Sequence, residues 1–312
     1  MIELLQQEML KEGYRLSQVS IEHLKDLETE IEKLNHNGYM DKNLYSWLKG
    51  YYNFSLPETK HNITSIVVVA SLSPTVKVFF RWKGKRIPLI MPPTYLDFDR
   101  EPKEIKKRIC ELVGISNYHF VEAANLPNKL LAARSGLGVY GRNNIVYVPG
   151  LGSLILISAF YSDLPCNNNN WVEIQRMKSC EKCVACVTSC PTGAILPERF
   201  TIKAESCLTY HNEFWGEPDF PEWIDPSSHN SIVGCMKCQI ACPQNKEHTK
   251  NVIELEEFND EETAALIEKR AVEDLPSSMV SKLERLNLHI HYHYLSRNLK
   301  ALLEKEALWN LS

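Results

Sequence analysis

The stretch CEKCVACVTSCPTGAI, residues 180–195, spaces four cysteines as C-x2-C-x2-C-x3-C and follows the last one with a proline. This is the spacing of bacterial ferredoxins, in which three thiolates hold one iron-sulfur cluster and the fourth cysteine holds a different cluster. The motif therefore demands a second group of cysteines. That group lies downstream, as a lone cysteine at position 207 and as GCMKCQIACP, residues 234–243.

The ferredoxin pattern also predicts how these eight cysteines divide between two 4Fe-4S clusters, because each motif lends its last cysteine to the other cluster. The first cysteine set is Cys180, Cys183, Cys186 and Cys242, and the second cysteine set is Cys190, Cys207, Cys235 and Cys238. Structural zinc is the alternative for CxxC pairs, but the x2, x2, x3 order ending in CP favours clusters. Cys110 and Cys166 lie outside both sets and receive no role.

Composition indicates a folded protein: the chain has 312 residues, 44% hydrophobic and 24% charged, which is enough for two or three units with a real core. No stretch approaches the roughly 18 apolar residues of a membrane span, and the first residues mix charged with apolar side chains. We therefore expect a cytoplasmic protein with no membrane partner. Disulfides are rare in that compartment, which favours metal ligation by the cysteines.

The remaining sequence predicts an α/β (α+β) domain over residues 1–165, a ferredoxin-like double 4Fe-4S domain over 166–250 and a C-terminal helical cap over 251–312. Residues 1 to about 50 have helical spacing of apolar residues. Further helices are expected in 100–114 and 126–135. Strands are expected at 65–72, 77–82, 144–148 and 153–160, the first and last of them buried on both faces because they barely alternate.

A glycine motif lies in SGLGVYGRNN, where Gly136, Gly138 and Gly141 have the G-x-G-x-x-G order of dinucleotide sites. That fingerprint follows a strand and opens a helix, whereas here a helical segment precedes and a strand follows. We therefore expect no nicotinamide site. The glycines either let the backbone pass close to a bulky planar partner or only form a tight helix-to-strand turn.

Taken in order, ARSGLGVYGRNN, SLILISAFYSDLP, the two cysteine motifs and the C-terminal LSRNLKALL resemble the epoxyqueuosine reductases over about residues 120–300. The resemblance implies a cobalamin-dependent reductase, related to reductive dehalogenases, in which two 4Fe-4S clusters pass electrons to a corrinoid bound in the α/β domain. In that family the enzyme removes the epoxide oxygen of epoxyqueuosine in tRNA, the last step of queuosine synthesis. An external low-potential electron donor is then required.

The resemblance also suggests site residues. The corrinoid-side candidates, taken from the family's matching turn, are Gly136, Gly138, Gly141, Arg142 and Asn143. The family's proton-donating aspartate aligns with Glu122, which could do the same work if a dry pocket raises its pKa. Otherwise Glu122 is an ordinary solvated or ion-paired carboxylate.

Two departures leave the substrate open. One is the exchange at Glu122, and the other is the segment 73–108, which matches nothing in the family pattern. Within it, residues 81–108 carry nine basic against four acidic residues, a net charge of +5, which could bind tRNA phosphates. The overall net charge of -4 argues the other way. The alternatives are a related corrinoid reductase with another substrate and a cobalamin-free, ferredoxin-like electron carrier, which leaves the α/β domain unexplained.

Three histidines, His289, His291 and His293, alternate in HIHYHYLS. On a strand they would share a face and could bind a metal. We instead expect them in the helical cap, packing an interface or lining the edge of a pocket.

Overall fold

The computed structural model describes residues 1–96, 98–114, 117–167, 169–213 and 219–309, with side chains up to residue 304. In chain order the helices and strands are α1 (Ile2–Lys11), β1 (Arg15–Ser20), α2 (Leu24–His36), α3 (Lys42–Tyr51), β2 (Ser65–Leu72), β3 (Thr75–Trp82), β4 (Lys85–Met91), α4 (Glu101–Val113), β5 (Phe120–Glu122), α5 (Asn128–Arg134), β6 (Val139–Tyr140), β7 (Val146–Tyr147), β8 (Ile155–Ser162), α6 (Ala185–Ser189), α7 (Leu208–Glu213), α8 (Lys237–Ile240), β9 (Val252–Phe258), α9 (Asp260–Ile267), α10 (Ser277–Arg285) and α11 (Tyr292–Trp309). No helix in these ranges is both long and apolar enough to cross a membrane.

The chain forms two compact units, each assembled from three separate stretches. Unit 1 comprises Met1–Ser73, Phe98–Val184 and Ile195–Ala204, and unit 2 comprises Pro74–Asp97, Ala185–Ala194 and Glu205–Ser312. The domain boundaries predicted after residues 165 and 250 stay a prediction.

Unit 1 is built on a four-stranded sheet in the order β1-β2-β8-β5, with every neighbouring pair antiparallel. Successive residues of β2 enter different cores: Ile66 and Val68 pack with α2 and α5, and Val67 and Val69 pack with α1 and α4. Antiparallel sheets often leave one face in water. Here helices cover both faces, which explains the nearly unbroken apolar run of β2.

Unit 2 contains a three-stranded sheet in the order β4-β3-β9, packed with α9, α10 and α11. Strand β9 corrects the expectation that everything after residue 250 is helical. It pairs in parallel with β3, and its last residue, Phe258, stacks on Phe80 with ring centroids 5.0 Å apart. This pairing and burial hold the acidic sequence VIELEEF extended.

Two more expectations need correction. The region before residue 50 contains β1, which pairs with β2 along its whole length. The chain reaches it after α1 by a turn at Gly13, where φ is 91°, a value that favours glycine. The strand expected over 144–148 is only the two-residue β7, paired with β6.

Candidate iron-sulfur and active site

The second cysteine set lies entirely in unit 2. Cys190 follows α6, Cys207 precedes α7, Cys235 lies just before α8 and Cys238 lies within it. The thiol of Cys235 interacts electrostatically with those of Cys190 and Cys207. The fold therefore brings together cysteines that come from three separate stretches of the sequence.

The sulfurs of Cys207 and Cys235 accept hydrogen bonds from N–H donors. Burial raises the pKa of both thiols and outweighs the N–H donors, which act in the opposite direction. Asn230 donates from Nδ2 to Sγ of Cys235 at 3.2 Å, and the backbone N–H of Lys237 donates to the same sulfur. Hydrogen bonds to sulfur are a main means by which proteins set the potential of iron-sulfur clusters. The donors and the thiols therefore fit a cluster.

Helix α11 fixes the loop that carries Cys235. Asn298 is buried and donates from Nδ2 to the carbonyls of Asn212 and Ile232, both at 3.0 Å. Asn212 in turn donates to the carbonyl of Gly234 at 2.6 Å. Sequence reasoning noticed the LSRN segment but gave Asn298 no role. No local pattern points to a side chain that bonds backbone so far away in the sequence.

A buried polar cluster lies beside the same loop. Gly234 has φ of 62°, and a Cβ there would come within 2.6 Å of the Tyr95 hydroxyl oxygen. Tyr95 donates to Glu213, and His291 packs edge-on against the Tyr95 ring at 5.5 Å. Burial lowers the pKa of His291 to about 4, with a smaller contribution from His289. His291 thus packs inside unit 2.

Among the described residues, His289, His291 and His293 form no ligand cluster.

Two members of the first cysteine set, Cys180 and Cys183, lie in unit 1 and are organised by Arg142. The guanidinium is buried and donates to the carbonyls of Cys180 at 2.5 Å, Cys183 at 3.0 Å, Pro197 at 2.7 Å and Glu181 at 3.3 Å. Arg142 therefore shapes the backbone from which both thiols project.

The other two members of this set belong to unit 2: Cys186 lies in α6 and Cys242 follows α8. Within that unit α6 and α8 are in contact, and Ser189 donates to the carbonyl of Lys237 at 3.5 Å. The four cysteines as one ligand set stay a prediction.

The glycine motif runs from the end of α5 through β6 to the residue that follows it, so a helix precedes and a strand follows, the context that argues against a nicotinamide site. Gly136 ends α5 with φ of 71°. A Cβ at Gly138 would come within 2.6 Å of Val146, and one at Gly141 within 2.6 Å of Tyr147. The last two glycines thus make room for β7.

Asn143 is also buried and donates to the Tyr147 hydroxyl at 3.0 Å. Arg142 is bonded to backbone carbonyls and Asn143 to a tyrosine hydroxyl. These hydrogen bonds therefore hold both side chains against the protein and do not direct them toward a cofactor. Their assignment to a corrinoid site stays a prediction.

Glu122 ends the edge strand β5 and is exposed. Its neighbours Val121 and Ala123 pack into the core that contains α5, so the pleat directs Glu122 to the other face. Partial burial raises the pKa of the Glu122 carboxyl, Lys103 and Lys106 lower it, and Asp99 adds to the rise. The net rise is the direction that a proton donor needs.

The basic segment 81–108 is divided between the units, and some of its charge is paired. Arg81 and Arg86 both bond Glu257 on β9, at 2.5 and 2.8 Å. In unit 1 Arg108 bonds Glu12 at 2.5 Å. Asp97, one of the four acids counted there, lies outside the described residues. The net charge of +5 therefore does not belong to a single exposed basic surface.

Comparison with known proteins gives a match to the 4Fe-4S double cluster binding domain over residues 179–245. The epoxyqueuosine reductase of Salmonella typhimurium is 36% identical over 146 residues, which is 46% of this chain and 36% of that protein. That of Escherichia coli is 36% identical over 135 residues, 43% of this chain and 34% of that protein. The matches thus span about a third of the length of these relatives.

Solved structures extend the similarity to the fold. The epoxyqueuosine reductase of Streptococcus thermophilus has a TM-score of 0.64 at 18% identity, covering 97% of this chain and 81% of that one. The Bacillus subtilis enzyme has a TM-score of 0.65 at 19% identity, covering 97% and 80%. A third epoxyqueuosine reductase structure, with an epoxyqueuosine-modified tRNA stem loop, has a TM-score of 0.62 at 18% identity, covering 97% and 80%.

The resemblance seen in the motifs is confirmed: this chain is similar in sequence to the epoxyqueuosine reductases over a little less than half of its length, shares their mixed α/β fold and carries a double 4Fe-4S cluster binding domain.

Proposed function

We propose that this protein is an iron-sulfur oxidoreductase that uses cobalamin to reduce epoxyqueuosine to queuosine in tRNA. The observation that carries the proposal is the double 4Fe-4S domain on a fold shared with epoxyqueuosine reductases over 97% of the chain. One relative of this fold has been solved with an epoxyqueuosine-modified tRNA stem loop.

The reaction sets the requirements. An epoxide becomes an alkene and water when it takes up two electrons and two protons. The two cysteine sets would hold 4Fe-4S clusters that pass the electrons one at a time from an external low-potential donor. Cobalamin, when bound, supplies the reductive chemistry at the substrate, while the protein positions the groups and delivers protons.

Within this scheme Glu122, which aligns with the proton-donating aspartate of the epoxyqueuosine reductases, would donate a proton to the departing oxygen; the direction of its pKa shift agrees with that role. Arg142 would act indirectly, by keeping the carbonyls of Cys180 and Cys183 in place. Asn230 would stabilise the thiolate of Cys235 through its N–H.

For tRNA contact we propose the β3–β4 hairpin tip, where Lys83 and Lys85 are exposed and Trp82 is half-buried. The tip turns at Lys83 and Gly84, both with positive φ. Exposed lysines beside an aromatic ring suit phosphate contact and base stacking.

The test begins with anaerobic purification and reconstitution of the clusters, followed by hydroxocobalamin and a chemical reductant. A retained corrinoid with a base-off cobalt(II) paramagnetic signal supports the cofactor. The reduced protein is then given tRNA from a strain that lacks epoxyqueuosine reductase, and the nucleosides are identified by mass spectrometry. Conversion to queuosine supports the proposal, and a loaded, reducible enzyme that leaves epoxyqueuosine unchanged contradicts it.

Two other functions remain as hypotheses, each with its own outcome. A corrinoid reductase with another substrate is suggested by Glu122 and the unmatched segment 73–108; it predicts bound cobalamin without conversion of tRNA. An electron carrier without cobalamin is suggested by the occupied side chains of Arg142 and Asn143. It predicts two reducible clusters and no retained corrinoid.

A further inference from the structure

Three side chains with metal-binding atoms meet at one end of the unit 1 sheet. None of them belongs to either cysteine motif. His61 precedes β2, His119 immediately precedes β5 and Asp163 immediately follows β8. Strands β2 and β5 flank β8 and both run antiparallel to it. The starts of β2 and β5 therefore lie beside the end of β8, which is why residues so distant in the sequence converge.

The three side chains bring one possible ligand atom each within reach of a single ion. Oδ2 of Asp163 lies 3.0 Å from Nδ1 of His119 and 3.6 Å from Nδ1 of His61. One ligand atom from each residue lies within 4.8 Å of the others. The imidazole rings stack with centroids 3.3 Å apart and an interplanar angle of 19°, and both Nδ1 atoms lie beside the same carboxylate oxygen. Because a metal ion lies in the plane of the imidazole that binds it, one ring turns out of the stack when both bind one ion.

The carboxylate is itself held in place. The backbone N–H of His119 donates to Oδ1 of Asp163 at 2.7 Å, which leaves Oδ2 directed at the two imidazoles. The side chains of Asp163 and His61 are only 21% and 24% exposed. The carboxylate is therefore held in one orientation at a partly sheltered position, beside the His119 side chain, which is 43% exposed.

A simple hydrogen-bonded pair accounts for only part of this arrangement. The contact between His119 and Asp163 is a hydrogen bond at 3.0 Å. The 3.6 Å separation of His61 from the same oxygen is too long for one. Two ligands of one ion, however, are expected to lie at about this separation. If each ligand atom lies about 2.1 Å from the ion, the 3.0 Å separation of Asp163 from His119 corresponds to a ligand–ion–ligand angle of about 90°. The 3.6 Å separation of Asp163 from His61 corresponds to about 120°. The two angles lie on either side of the tetrahedral value.

We propose that His61, His119 and Asp163 form a binding site for a divalent transition-metal ion of the Zn²⁺ class, with water completing the coordination. Two imidazole nitrogens and one carboxylate oxygen are a donor set of intermediate hardness, which suits Zn²⁺ and its first-row neighbours better than Ca²⁺ or Mg²⁺. A bound ion would tie the loop that leads into β2 to the start of β5 and the end of β8. This site uses none of the eight cysteines of the two sets and does not depend on the proposed function.

The test uses the full chain with its clusters reconstituted, so that the cysteines are occupied. Zn²⁺ is added in slight excess, unbound metal is removed on a desalting column, and zinc and iron are measured by mass spectrometry. Three proteins are compared: the wild type, the double variant His61→Gln/His119→Gln, and the control His36→Ala, which replaces an exposed histidine at the end of α2.

We expect one zinc ion per chain in the wild type and in the control. The double variant should retain at least about tenfold less zinc. All three proteins should contain the same amount of iron. Zinc-edge X-ray absorption should show nitrogen and oxygen ligands only. Equal zinc in the wild type and the double variant, or a sulfur-dominated spectrum, would overturn the proposal. If the double variant loses iron, the single variant His61→Gln replaces it, and unchanged zinc retention there also overturns the proposal.

Discussion

Replacing Arg142 by methionine tests whether its guanidinium organises the loop of the first cysteine set. Methionine keeps much of the apolar stem but removes every donor. Of the four carbonyls that lose a partner, those of the exposed residues Glu181 and Pro197 can bond water instead. The carbonyls of Cys180 and Cys183, which accept from Arg142 at 2.5 and 3.0 Å, are more sheltered from water and would lose their partner without replacement. Hydrogen bonds to a charged group contribute about 1.5–3 kcal/mol each, so with some relaxation we expect a loss of about 3 kcal/mol.

A loss of that size lowers the melting temperature by roughly 5–10 °C. The iron content should fall as well, because Cys180 and Cys183 lose the backbone that positions them. The assay is anaerobic thermal unfolding together with iron and sulfide analysis. The matched control is Arg108→Met in the same unit, whose exposed guanidinium bonds only carboxylates, and it should behave like the wild type. An Arg142→Met protein that melts and binds iron as the control does would refute the reasoning.

Three further predictions follow from the same structure. Replacing Cys242 by alanine should damage the cluster held by Cys180, Cys183 and Cys186, although Cys242 lies in the second motif. If spectroscopy shows that only the cluster of the second cysteine set is lost, the exchange of cysteines between the motifs is contradicted. The Glu122→Gln variant should reduce both clusters normally but form product at least about 100-fold more slowly, and a wild-type rate would exclude Glu122 as the proton donor. His291 has a pKa near 4 in the folded protein, against 6.5 ordinarily, so the unfolded chain takes up a proton first as the pH falls. Stability contributed by neutral His291 is therefore present above about pH 6.5 and declines toward pH 4, and the free energy of unfolding falls by about 2 kcal/mol between pH 7 and 5. Thermal unfolding of the His291→Phe variant should show a smaller decline over this pH range. The His36→Ala control should show the same decline as the wild type.

Sequence patterns predicted the elements whose signal is local. The apolar run of β2 was expected over 65–72 and is found as Ser65–Leu72. Helix α4 lies within the expected 100–114. The match to a double 4Fe-4S domain over residues 179–245 confirms what the cysteine spacing indicated. In each case the pattern depends on residues close together in the chain.

Elements stabilised by distant partners escaped prediction. Strands β1 and β9 are held by β2 and β3, and neither has an apolar run of its own. The roles of Arg142 and Asn298 consist of bonds to carbonyls, and any residue can supply a carbonyl. The convergence of His61, His119 and Asp163 depends on strand order, which no local spacing encodes.

The pairing of β3 with β9 has a consequence for synthesis of the protein. Thr75 pairs with Val252, so more than half of the chain must leave the ribosome before β3 can meet its second neighbour. Until then β3 and β4 form a hairpin with an open, apolar edge, a state prone to pairing with other chains. A contact so distant along the chain also forms slowly. Premature termination after the cysteine motifs would therefore leave this edge permanently open, and such fragments should aggregate even when all the cysteines are present.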